Sequence, residues 1–166
     1  PEQLATVKPQ VEVLQRGKRT LELKAPAELP YLMMGWKVPV VATATEEWEP
    51  YALDVLAGIL DGGASSRFSR DLVRGQQVAA GVSAYNSAFS RLNDIFTIAA
   101  TPAQGKSIEE VKQAILSKLD ELKSEPATEA ELQRVKTQVI ASSVYQLDSV
   151  FYQAMQLGML ETVGLD

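Results

Sequence analysis

The sequence predicts an α+β domain: an antiparallel-rich sheet of about four or more strands, with helices packed on one of its faces. Three observations carry that expectation. Period-two segments arrive in pairs joined by short connections, and segments with apolar residues at three- and four-residue spacing arrive in clusters. The resulting order, β-β-α-α-β-β-α-α-α, suits layered hairpins and helices better than a parallel doubly wound sheet. The chain has 166 residues and is 46% hydrophobic, which suffices for one domain with a genuine core.

Residues 1–19 are polar without a sustained period and read as a linker from a preceding domain, so that 20–166 forms the single domain. Leu21 and Leu23 alternate with charged neighbours and predict a first strand over 20–24. Pro26 and Pro30 punctuate the turn, the apolar run 31–38 predicts a second strand, and Pro39 ends it. Pro50 stands where the first turn of a helix tolerates it. Trp48, Ala52, Val55, Leu56, Ile59 and Leu60 then give that helix its apolar side, and Gly62-Gly63 stops it. Strands over 78–85 and 95–101 pair across a nine-residue loop. Ser107 with Glu110, and Thr128 with Glu131, form two S/T-x-x-E capping boxes that open the next two helices. A last helix starts near Asp148. The final residues trail from it without a clear stop, so the domain is expected to be truncated there; the methionine-free start Pro1-Glu2 reads as a mature or excised product.

The block 65–85 holds the candidate site. Ser65 or Ser66 caps a short helix whose apolar side is Phe68, Leu72 and Val73, while Arg67, Arg70 and Arg74 surround the rest. After Gly75 the alternation of Val78, Ala80, Val82 and Ala84 begins a strand that ends at Tyr85. Arginines beside a strand suit a negative or carbonyl-rich ligand, although a solvated helix face is the usual fate of such charges. Tyr85 at a strand end is more often an edge aromatic than a catalytic acid. The Gly-Gly-x-Ser-Ser turn lacks the spacing and the lysine of a phosphate loop, and a capped helix-to-helix turn accounts for it.

Absences narrow the chemistry. The chain contains no histidine and no cysteine, which removes the usual zinc ligands, thiol nucleophiles, disulfides and the commonest general base at neutral pH. No paired carboxylates stand out from solvated helix faces. A net charge of −5 argues against nucleic acid as a partner. No stretch approaches the roughly 20 apolar residues that span a bilayer.

The strand YLMMGWKVP, the helix PYALDVLAGILDGG, the block SSRFSRDLVRGQQVAAGVSAY and the late TEAELQRVKTQ follow one another in unbroken order from about Thr20 onward. Together they resemble the second, non-catalytic domain of the pitrilysin/insulinase (inverzincin) family of zinc metallopeptidases. The resemblance implies a pitrilysin-like half, also described as LuxS-metallohydrolase-like, that faces a homologous domain as a clamshell. In that family the first domain carries zinc through an inverted H-x-x-E-H helix, and the second helps enclose the peptide. It implies no cofactor in this segment, zinc in a partner catalytic domain in cis or trans, a peptide substrate, a homo- or heterodimer as one option, and a periplasmic or otherwise exported location in a bacterium.

Residue by residue, the resemblance places Arg74 where such domains have an arginine near the scissile bond. It becomes the first candidate for binding a peptide carbonyl or a developing oxyanion, with Arg70, Arg67 and Tyr85 as further substrate-binding candidates. The family tyrosine falls at Ala80 or Gly81, so the pattern is broken there. Tyr85 lies four residues past Gly81, about 13 Å along an extended strand, and does not simply replace it. The expected function is a non-catalytic wall of a zinc metalloendopeptidase, inactive alone. Two alternatives stand beside it: a structural scaffold of the same fold without peptidase activity, and an unrelated peptide- or anion-binding module built on the three arginines.

Overall fold

A computed structural model describes residues 14–165. Residues 1–13, most of the expected linker, lie outside the described residues, as does Asp166. Residues 14–19 are exposed and carry no regular element. Three strands form an antiparallel sheet in the order β1-β3-β2: β1 (Leu32–Val38), β2 (Ala79–Tyr85) and β3 (Asp94–Pro102). The helices are α1 (Glu49–Asp61), a π-helix (Phe68–Gly75), α2 (Ile108–Ser124), α3 (Glu129–Leu147) and α4 (Val150–Val163). None of the described helices is long and apolar enough to cross a membrane.

The β2–β3 hairpin forms as its alternation predicts, with Val82 opposite Ala100 and Tyr85 opposite Thr97. The first expected hairpin does not form. Residues 20–24 carry no strand, and β1 pairs instead with β3, Met34 opposite Ile98 and Trp36 opposite Phe96. The sheet therefore has three strands rather than four or more. The physical reason is burial: Leu21 and Leu23 are each 79% exposed, so their alternation has no core to face. Pro26 and Pro30 break the approach to β1 besides.

One sheet face is filled. Val82, Phe96, Ile98 and Ala100 meet Leu60 from α1, Phe68 and Leu72 from the π-helix, and Val111 and Ile115 from α2. The opposite face, with Met33, Ile95 and Tyr85 at 50–66% exposure, is covered by no described helix. Trp48, expected on the buried side of α1, is its 65%-exposed N-cap.

Both capping boxes are present, Ser107–Glu110 and Thr128–Glu131. α1 ends at Gly62, and Gly63 turns with φ +94°, a conformation that L side chains rarely take. α3 completes that end: Arg134 donates to the carbonyls of Gly58 and Gly62, and Gln138 to Gly62 at 3.1 Å. These would otherwise be orphan acceptors of a helix C-terminus. α3 approaches α1 so closely that a Cβ on Gly58 would lie 2.8 Å from Val135 Cγ1. α4, capped by Ser149 and stopped by the left-handed Gly164, packs substantially on α3 alone and has no buried residue. The chain thus does reach a helix stop near its end.

Arg67 joins the two halves of the helical layer. Only 5% exposed, it donates through Nε and Nη2 to the Glu131 carboxylate at 2.8 and 2.9 Å, and to the carbonyls of Glu125 and Pro126. Those partners hold the π-helix start against the α2–α3 turn. The bidentate guanidinium, with help from the Thr128 cap, lowers the Glu131 pKa from 4.5 to about 2.

Two outcomes follow from these contacts. Gly58→Ala should lose about 1–2 kcal/mol by urea unfolding, because the clash with Val135 outweighs alanine's better helix propensity. Arg67→Ala should lose about 3 kcal/mol or more, since it strands a nearly buried carboxylate and two carbonyls. The Glu131 pKa is depressed on folding, so its contribution is complete above 4.5 and is lost as pH falls through about 2. Glu131→Gln should flatten that acid limb when unfolding is followed against pH.

Candidate functional site

The residues of the candidate site sit on the π-helix and on β2, which run antiparallel side by side. At one end Val78 donates to the carbonyl of Leu72, and at the other the Asp61 carboxylate, just before the π-helix turn, accepts from the Ala84 amide at 3.3 Å. The expected short helix thus exists, but its winding differs. Gln76 donates to the carbonyl of Asp71 five residues back, the spacing of a π-helix. Neither Ser65 nor Ser66 caps it: Arg67 occupies the N-cap position and its side chain makes no capping bond to the helix, and the Ser66 hydroxyl is buried with no hydrogen-bond partner. Gln77, between helix and strand, has φ +51°, a turn a non-glycine residue adopts only at some cost.

Underwinding spreads the arginines. Spaced three and four apart, Arg67, Arg70 and Arg74 would share one face of an α-helix; here they go to three destinations. Arg67 is committed to Glu131 and the α2–α3 turn. Arg70 is exposed and pairs with Asp71 at 2.6 and 3.0 Å; Asp71 also meets Lys118 of α2 at 3.0 Å. Those two cations hold the Asp71 carboxyl below its ordinary range, the Arg70 hydrogen bond being the larger cause. Arg74 is exposed and folds back along the helix, donating through Nη2 to the carbonyl of Ala64 and through Nε to Ser69 at 3.4 Å. Its Nη1 group finds no acceptor among the described residues. Arg74 is therefore held in place by backbone carbonyls while keeping donors for a ligand, as a pre-positioned carbonyl- or anion-binding group requires.

Tyr85 ends β2, 64% exposed, on the open side of the sheet with Gly81 and Ser83, while Val82 and Ala84 face the core. The bond from Ala84 to Asp61 brings this strand end beside the turn 61–64 over which Arg74 folds. Arg74 therefore reaches back, through Ala64, toward the end of the helix–strand pair where β2 stops, whereas Arg67 is committed to the α2–α3 turn. The position where the resemblance expects a tyrosine is smooth. Ala80 lies at a register shift between Ala79 and Gly81, and a Cβ on Gly81 would meet nothing within 4 Å.

Two carboxylates that sequence reading passed over support this end. Asp54 and Asp61 lie seven residues apart on one side of α1. Asp54 accepts from Asn86 Nδ2 at 2.7 Å, just beyond Tyr85, and Asp61 accepts from Ala84. Burial raises both pKa values above the ordinary aspartate range, against the lowering effect of those hydrogen bonds. The available signal was their seven-residue spacing within an otherwise apolar helix.

The residues present do not fit a zinc site. No histidine or cysteine exists in the sequence, and among the described residues no three acidic side chains converge to hold a metal.

Comparison with known proteins agrees with this geometry. The family described as "Peptidase M16 inactive domain" matches residues 2–139. No curated protein matches significantly. Among solved structures, a protease from Helicobacter pylori superposes with a TM-score of 0.75 at 24% identity, over 85% of this chain and 33% of that one. A putative zinc protease from Bordetella pertussis Tohama I gives 0.70 at 21% identity, over 85% and 75%. A conserved protein from Enterococcus faecalis V583 gives 0.66 at 17%, over 79% and 29%. At these identities the structures show a shared fold, and this chain spans only about a third of the Helicobacter protein. The match over residues 2–139, joined to the unbroken motif order, shows that the chain belongs to the M16 (pitrilysin/insulinase) peptidase family as a domain of its inactive, C-terminal type.

Proposed function

We propose that this domain is the non-catalytic wall of a zinc metalloendopeptidase, enclosing and positioning a peptide that a partner H-x-x-E-H domain hydrolyses. The observation that carries this reading is the one-sided layering of the fold. All described helical packing falls on one sheet face, leaving the other open, and within the helical layer an exposed arginine is held by backbone carbonyls. An extended peptide has a carbonyl at every residue. Arg74 Nη1 supplies a charged donor for one of them, and Tyr85 with its neighbours on the open face supplies apolar surface and exclusion of water. Arg70, already paired with Asp71, adds positive charge nearby rather than a free donor set. In this reading the cleavage chemistry lies in the partner domain: this chain has no histidine or cysteine and, among the described residues, no metal-binding set.

One observation favours the second reading, a scaffold or processing-complex subunit of the same fold without peptidase activity. No side chain on the open strand replaces the family tyrosine at Ala80 or Gly81. A partner domain with H-x-x-E-H supports the peptidase, and one lacking it supports the scaffold.

Assembled with its catalytic partner, Arg74→Ala should reduce kcat/KM about 10- to 100-fold, the worth of one charge-assisted hydrogen bond, with an unchanged unfolding midpoint. Unaltered kcat/KM removes Arg74 from the wall. Gly81→Tyr should fold as the parent does, because its Cβ meets open space, and should raise turnover where the wall reading holds. The isolated chain should show no peptidase turnover.

A further inference from the structure

Residue pattern and winding disagree in Phe68–Gly75. The pattern is that of an α-helix: Phe68, Leu72 and Val73 recur on an apolar side, and Arg67, Arg70 and Arg74 recur at three and four on the other. The backbone is nevertheless π-wound, with Gln76 donating to the Asp71 carbonyl at 2.7 Å and Val78 to that of Leu72 at 3.0 Å. Three penalties accompany that winding. The Ser66 hydroxyl, on a residue with no exposed surface, has no hydrogen-bond partner, although a serine that opens an α-helix bonds an amide two or three positions on. Gln77 leaves the helix at φ +51°. The Arg70 carbonyl oxygen stands 3.1 Å from where a Cβ on residue 75 would lie, so glycine alone fits there without crowding. In an α-helix the amide of residue 75 would bond the carbonyl of Asp71 instead, and that oxygen would stand clear. A local sequence preference opposed to the adopted conformation is the mark of two competing states.

We propose that Phe68–Gly75 is a two-register switch, exchanging between this π winding and an α winding, and that the register decides where Arg74 stands. Arg67 is the fixed end, because Glu131 and the carbonyls of Glu125 and Pro126 hold its guanidinium. Winding the segment as an α-helix turns every later residue round the axis. Arg74, seven positions on, then comes within about 20° of the Arg67 face. There it leaves the carbonyls of Ala64 and Ser69 that hold it in the π register. The other contacts tolerate the turn. Asp71 parts from Lys118, but Lys118 keeps Glu121 at 2.6 Å. Phe68 and Leu72, four apart, still share one face toward the core. A peptide carbonyl bound at Arg74 selects the π register, since only there is the guanidinium held over the turn 61–64. That consequence rests on the proposed wall; the exchange of registers does not.

Helix register shifts take microseconds to milliseconds, so the test is NMR relaxation dispersion on the full chain. Exchange is expected at the amides of 68–78 and at the Arg74 Nε–H, with one shared rate, and not at the Arg67 Nε–H. Gly75→Ala should raise the minor, α-wound population about fivefold, the worth of alanine over glycine in an α-helix. Ser66→Ala should lower that population, because the hydroxyl gains an amide to bond only in the α register. It should also leave the urea-unfolding midpoint unchanged or higher, since the hydroxyl it removes is unpaired in the π register. Flat profiles over 68–78 in all three proteins would overturn the proposal, as would exchange spread over the whole chain. So would shifts in the same direction from both substitutions, an Arg74 signal that stays still while the amides exchange, or a fall in the Ser66→Ala midpoint. Peptidase activity enters none of these readouts, so failure of the switch and failure of the wall are told apart.

Discussion

The guanidinium of Arg67 is the constraint on which the helical layer depends. A buried cation is tolerated only when its donors are paired, and each nitrogen of Arg67 has an acceptor on the α2–α3 turn or on the first turn of α3. Glu131 serves twice. Its carboxylate closes the capping box with Thr128 and binds Arg67. The start of α3 and the start of the π-helix are therefore fixed by one group, and neither can move without exposing the other's charge. From there α3 works as a strut: Val135 fills the space that Gly58 leaves open on α1, and Arg134 closes the carbonyl end of α1.

Because that lock consumes one arginine of three, it also decides which remain for function. An α-helix would have aimed Arg67, Arg70 and Arg74 together. The π-helix separates them into a structural bolt, a member of the Asp71–Lys118 network and an exposed donor. The departure from ordinary helix geometry thus coincides with the candidate site, as π-helical turns in proteins frequently do. Asp54 and Asp61 extend the same logic to β2: two half-buried carboxylates hold the Asn86 side chain and the Ala84 amide on either side of Tyr85.

The faces of the molecule then divide by role. One side of the sheet is closed by α1, the π-helix and α2. The other is covered by no described helix, and Ala80 or Gly81 stands where the family resemblance expects a tyrosine. The α3–α4 end carries a third character, apolar and almost uncharged.

Much of this was legible in the residues. Capping boxes, the β2–β3 hairpin, Pro50 and the Gly62-Gly63 stop are local devices, decided by hydrogen bonds and backbone angles within a few positions, so the sequence by itself determined them. The absence of histidine and cysteine likewise removed zinc ligation without any coordinates. Long-range partners were not legible, because burial depends on what arrives from elsewhere in the chain. Residues 20–24 have a strand's alternation but no core to face, and Trp48 has a helical spacing but stands in solvent. Arg67 looks like its neighbours in the sequence and is separated from them by a glutamate 64 positions away. Only the tertiary structure could sort those three arginines, since their charge is identical and their surroundings are not.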